Sequence, residues 1–294
     1  MNPAGSLADR LALLRREHPL QRRRAAGLDW AFIDTGLVAA GKTGHPVLLW
    51  LPGALGLPET SFEYILGFRD DCRVIAPDLP AGLETLEQAA AGLAALLDEL
   101  GVEQAHVHGG SFGAFLAQAL LRAEPQRCDR VILSHAGPPR RSRARQTAVM
   151  DALARRLPER AARRLLRLGV YSYWPGRDAI SSFWRGYFLA LMDRMPLPAI
   201  QARFRLGQVY DRSRLPPWQA PGWEGRLLIL QSAGDRSLPL AERLAFQALY
   251  PQAASHTFPE RGHLATLENA AEQIAVIREF LAASMRLRSL SEGG

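Results

Sequence analysis

The sequence predicts an α/β fold in which a parallel sheet is covered by helices on both faces and a helical cap is inserted late in the chain. Three observations predict it. Short apolar runs alternate with helical stretches from Trp30 to Ser134 and again from Arg226 to the C-terminal region. This is the pattern of strands joined by crossover helices. A G-x-S-x-G turn, Gly109-Gly110-Ser111-Phe112-Gly113, stands between a strand and a helix. Between residues 138 and 222 the alternation gives way to irregular helical sequence rich in Arg and aromatic residues.

In chain order, Ser6-Leu7-Ala8-Asp9 is the capping pattern of a helix whose Leu7, Leu11 and Leu14 share a face, and His18-Pro19 ends it. Residues 1–26 are therefore expected as an N-terminal helical extension. Trp30 to Asp34 alternates as a strand. Gly36-Leu37-Val38-Ala39-Ala40-Gly41-Lys42-Thr43 then fits the phosphate-loop pattern G-x-x-x-x-G-K-[ST]. A phosphate loop must open a helix, because helix N-terminal N–H groups hold the phosphates. Here Gly44-His45-Pro46 and the apolar strand Val47 to Leu51 follow at once, so the segment reads as a hairpin connection and not a nucleotide site. Arg73 to Ala76 is the next strand, and Leu83 to Leu100 a helix with Leu83, Leu86, Ala90, Leu93 and Leu97 on one stripe.

His106-Val107-His108 leads into the G-x-S-x-G turn, and the helix beyond it ends near Glu124-Pro125. Val131 to Ser134, Arg226 to Gln231 and Ala254 to Phe258 complete the strands. Helices are expected at Leu240 to Leu249 and from Asn269 to about Met285. The domain organisation expected is a core of residues 1–137 and 223–294 with a cap or lid at 138–222.

Composition narrows the function. The 294 residues are 48% hydrophobic, enough to fill one large core. The start lacks the basic and apolar segments of a signal peptide, and no apolar run approaches a membrane span, so a cytoplasmic protein without a membrane span is expected. Cys72 and Cys128 have no motif spacing, which points to buried thiols. The net charge of +7 is carried almost wholly by arginine, Lys42 being the only lysine. Arginines cluster at Arg22 to Arg24 and at Arg140, Arg141, Arg143 and Arg145 without any nucleic-acid motif, so nucleic acid is excluded as a partner and an acidic protein partner is allowed.

A serine hydroxyl attacks only when a base takes its proton and a carboxylate orients that base. In open α/β sheets such groups stand beyond the carboxyl ends of strands. Asp235 follows the strand 226–231 in Ser232-Ala233-Gly234-Asp235, and His263 follows the last strand in Glu260-Arg261-Gly262-His263. Ser111, Asp235 and His263 are the catalytic candidates as nucleophile, orienting acid and base, in the chain order of a hydrolase triad. The backbone N–H groups of Phe112 and of Ala54, in the loop Leu51-Pro52-Gly53-Ala54, are the candidate oxyanion donors. Trp174, Trp184, Leu55 and His135 are the candidate substrate contacts, whereas His106 and His108 read as packing or supporting residues.

Carried by Leu51-Pro52-Gly53-Ala54, Gly109 to Gly113, Gly234-Asp235 and Gly262-His263, the chain resembles the α/β-hydrolase family from Trp30 to Leu281. The resemblance implies a mostly parallel eight-stranded sheet and acyl chemistry with neither metal nor cofactor. Pro52 stands where many members have histidine, and Pro77-Asp78-Leu79-Pro80-Ala81 lacks the usual R-G-x-G. With Phe115 to Gln118 and Trp30 to Asp34, these features resemble the maspardin-like branch, which implies an interaction role beside catalysis. The expectation is a serine hydrolase, esterase or thioesterase in type, acting on a small-molecule acyl substrate as a monomer or homodimer. An acyltransferase using the same triad and a non-catalytic interaction protein are the alternatives.

Overall fold

The computed structural model describes residues 5–36, 46–53, 57–218, 222–259 and 262–282. Its eight strands are β1 (Gln21–Ala25), β2 (Leu28–Asp34), β3 (Val47–Leu51), β4 (Arg73–Pro77), β5 (Ala105–Gly110), β6 (Cys128–Ser134), β7 (Arg226–Ser232) and β8 (Ala254–Phe258). They form one sheet in the order β1-β2-β4-β3-β5-β6-β7-β8. Only the β1/β2 and β2/β4 pairs are antiparallel. Because β4 lies between β2 and β3, these two strands do not pair as the hairpin that the turn residues between them suggest. Residues 37–45, with the phosphate-loop pattern, lie outside the described residues.

The inner strands β3 to β7 are largely apolar on both faces because both are covered, and the period-2 alternation of side chains divides them cleanly. Leu49, Leu51, Ile75, Val131, Leu133 and Ile229 join one core with α3 (Leu86–Glu99), α4 (Phe112–Ala123) and α9 (Leu240–Ala248). Leu48, Trp50, Val74, Ile132 and Leu228 join the other with α1 (Leu7–Glu17), α2 (Phe62–Phe68) and α11 (Ala270–Ala282). Both α1 and α3 begin on capping boxes, Ser6 with Asp9 and Thr85 with Gln88. Cys72 and Cys128 are free and buried, and burial pushes both thiols up to about 12.

The first 26 residues are not wholly an extension, since β1 is the edge strand of the sheet. It turns into β2 through Ala26 and Gly27, both at positive φ (50° and 74°), the backbone of a two-residue primed hairpin turn.

Among the described residues, four helices lie between β6 and β7: α5 (Arg141–Ala154), α6 (Glu159–Tyr173), α7 (Ala179–Arg194) and α8 (Leu197–Arg212). Helix α8 is tied to the core. Tyr210 stacks on Phe115 at 3.8 Å and its hydroxyl donates to the Gly137 carbonyl at 2.9 Å. Arg203 is paired with Asp78 beyond β4. Arg140 and Arg143, from the basic cluster, are engaged locally by Asp211 and Glu242.

Candidate active site

The site sits at the carboxyl ends of β3, β5, β7 and β8, joined at β8 by the short α10 (Ala265–Glu268). Ser111 occupies the corner between β5 and α4 with φ 50° and ψ −114°, a conformation that a side chain rarely adopts. Its neighbours make the corner possible. A Cβ on Gly109 would lie 2.4 Å from the Gly113 carbonyl oxygen, and one on Gly113 would lie 2.2 Å from that of Leu51. The turn therefore closes only with glycine at both positions, and it presses against the exit of β3.

The structure brings Ser111, His263 and Asp235 together. Ser111 Oγ is 3.2 Å from His263 Nε2, and His263 Nδ1 is 2.7 Å from Asp235 Oδ2. The other oxygen of Asp235 accepts from the N–H groups of Ser237 (2.8 Å) and Leu238 (3.2 Å). Burial pushes the Asp235 carboxyl up. The hydrogen bond and charge of His263, with the Ser237 N–H, outweigh it and hold the carboxyl below the usual range. An ionised carboxylate only accepts, so His263 donates from Nδ1 to Asp235 and turns Nε2 toward the Ser111 hydroxyl.

Phe112 is the first residue of α4, and its backbone N–H is one of the donors that a helix leaves without an internal acceptor. Ala54 and Leu55 lie outside the described residues.

Above Ser111 opens a cavity of about 800 Å³, whose wall is overwhelmingly apolar and reaches from Trp50 and His263 up among helices α5 to α8. Trp174 is part of that wall. Trp184 is not: it is buried against Phe62 and donates its Nε1–H to the Leu267 carbonyl at 3.0 Å, so packing and not substrate explains it. His135 also does not reach the cavity. It is buried at positive φ, 2.7 Å from Ser232 Oγ, with its ring edge-on to His263 at 6.3 Å. Burial first, and His263 second, push it down to about 4, so it backs His263 as a neutral ring. His106 pairs with Asp129 at 3.2 Å, away from the cavity.

Sequence reasoning missed the floor of the cavity. Trp50 stacks on His108 at 3.5 Å and on Tyr64 at 4.3 Å, and all three line the cavity. His108 Nε2 lies 2.9 Å from Ser134 Oγ, and burial pushes this ring down to about 3. The signal was present in the strands: Trp50 and His108 are register partners on β3 and β5, so their side chains share a face. Among the described residues no group of three or more His, Cys, Asp or Glu is placed to hold a metal.

Comparison with known proteins agrees with this architecture. The model of the alpha/beta hydrolase family matches residues 43–276. A 2-hydroxymuconate semialdehyde hydrolase of Pseudomonas putida is 28% identical over 247 residues, 74% of this chain and 79% of that protein. An alpha/beta hydrolase enzyme from a Medee basin deep-sea metagenome library superposes with a TM-score of 0.73 at 16% identity, covering 89% of this chain and 97% of its own. The enol-lactonase of Burkholderia xenovorans superposes with a TM-score of 0.70 at 17% identity, covering 89% of this chain and 100% of its own. A match across most of the chain, together with the eight-stranded sheet, establishes that this protein belongs to the alpha/beta hydrolase family.

Proposed function

We propose that the protein is a serine hydrolase that cleaves an ester, thioester or related acyl bond of a largely apolar small molecule. The observation that carries the reading is the unbroken series of contacts from Asp235 through His263 to Ser111 Oγ, ending at the sheet end of the apolar cavity. Ser111 Oγ attacks the acyl carbon as His263 Nε2 takes its proton. The carbonyl oxygen, now negative, is held by the Phe112 N–H and, from the loop after β3, by that of Ala54. Collapse breaks the bond to the leaving group, which receives the proton from His263 and departs, leaving an acyl ester on Ser111. Water, deprotonated by His263, then releases the acid. An acceptor other than water makes the same site an acyltransferase.

Among the described residues the cavity wall holds neither arginine nor lysine. This favours a neutral acyl chain over a carboxylate such as the one in the name of the Pseudomonas putida relative. The 3.2 Å Ser111–His263 contact and the cavity also favour catalysis over the interaction-protein reading, which needs neither. The test is turnover of p-nitrophenyl esters and acyl thioesters from acetyl to dodecanoyl, with Ser111→Ala as control. The reading expects activity that rises with chain length and is lost in the variant. No turnover of any acyl substrate by the wild type contradicts it.

A further inference from the structure

The cavity does not close at the cap. Six of its wall residues, Met150, Leu153, Leu157, Leu165, Tyr173 and Phe204, are between 39% and 59% exposed, and the first five come from α5, α6 and the turn between them. Val149 and Leu168, outside the wall, extend the same apolar surface at 58% and 56% exposure. Soluble chains scatter exposed apolar residues singly, so a continuous apolar rim around the mouth of a catalytic cavity marks a place where something apolar arrives.

Charge identifies what arrives. Successive residues of an α-helix turn by about 100°, so the ridge Ala161-Leu165-Leu168 of α6 runs directly beside the ridge Arg160-Arg164. Arg156, Arg160 and Arg164 are exposed, and none has a carboxylate partner among the described residues. Their neighbours are neutralised: Arg155 by Asp151, Arg163 by Glu159 and Arg167 by Asp193. An apolar helix edge bordered by unpaired arginines is the chemistry that settles into the headgroup region of an anionic lipid surface, with the rim in the acyl layer and the arginines at the phosphates.

We propose that the α5–α6 side of the cap docks on an anionic phospholipid interface and that the acyl chain of the substrate enters the cavity from there. The entry step rests on the reading of Ser111 as nucleophile; the docking does not. The test uses the full chain carrying Ser111→Ala, which cannot consume the lipid, and measures co-sedimentation with vesicles of phosphatidylcholine containing phosphatidylglycerol or phosphatidylcholine alone.

Binding is expected to the anionic vesicles only and to weaken with salt. Arg156→Gln/Arg160→Gln/Arg164→Gln should lower the partition coefficient about tenfold or more, and Val149→Ser/Leu168→Ser should lower it as well. In the Ser111 background both sets should leave turnover of a soluble short-chain ester unchanged. Absence of vesicle binding, equal binding to neutral vesicles, or binding unaffected by these substitutions overturns the proposal. So does a dimer dissolved by Val149→Ser/Leu168→Ser, or saturable binding to an acidic carrier protein, in either case with none to vesicles. Vesicle binding by a protein whose wild type turns over no acyl substrate would leave docking standing and remove the hydrolase reading.

Discussion

Replacing Ser111 by glycine should make the protein more stable than replacing it by alanine. At φ 50° and ψ −114° any residue with a Cβ is strained, at a cost on the order of 1–3 kcal/mol. Glycine adopts this conformation freely but loses about 0.5–1 kcal/mol more backbone entropy on folding. Alanine keeps the strain, and both variants lack the hydroxyl that meets His263, so the comparison isolates the backbone. The middle of the two ranges leaves about 1 kcal/mol in favour of glycine, or roughly 2 °C in melting temperature for a domain of this size. Calorimetry or urea unfolding of the two purified variants measures it. A glycine variant that melts at or below the alanine variant would refute the claim that the turn stores strain to present its side chain.

Four further outcomes follow from the same geometry. Gly113→Ala should cost more than about 3 kcal/mol in urea unfolding, or prevent soluble expression, because its Cβ would meet backbone oxygens of Leu51 and Pro52 at 2.2 and 2.7 Å. Asp235→Asn should lower kcat about 10³–10⁴-fold with little change in KM, since the amide can force the wrong His263 tautomer; steady-state ester kinetics check it. His108 and His135, at about 3 and 4, bind fewer protons folded than unfolded, so stability should rise with pH from about 4 to 6.5 and then level. His135→Gln should remove up to one proton from that slope in unfolding titrations. Gly169→Phe should shift preference toward shorter acyl chains, because Gly169 lines the cavity and its Cβ direction meets open space.

What was legible in the sequence was local. The capping box at Ser6, the buried strands and the glycine spacing around Ser111 are patterns of neighbouring residues, and each appears where its chemistry places it. The helix expected from Leu83 begins instead at Leu86, behind a second capping box of Thr85 and Gln88. The misreadings come from non-local causes. Strand β1 is almost wholly exposed and basic, so no alternation marks it, and it exists because β2 offers it an edge. Helix α2 is buried nearly all round, which erases the amphipathic period. The β2–β3 connection looked like a hairpin because nothing local announces that β4 inserts between the two strands. Trp174 and Trp184 carry the same chemistry, and only the packing of the helices between β6 and β7 decides that the first faces the cavity and the second the core.

The central claim is that the Ser111 hydroxyl is the nucleophile, activated by His263. Intact-mass and peptide mass spectrometry after incubation with a fluorophosphonate measures this most directly. The account predicts one covalent adduct per chain, located on Ser111, absent from Ser111→Ala and formed far more slowly in His263→Ala. An unlabelled wild type, or an adduct that persists at another residue in Ser111→Ala, would contradict it.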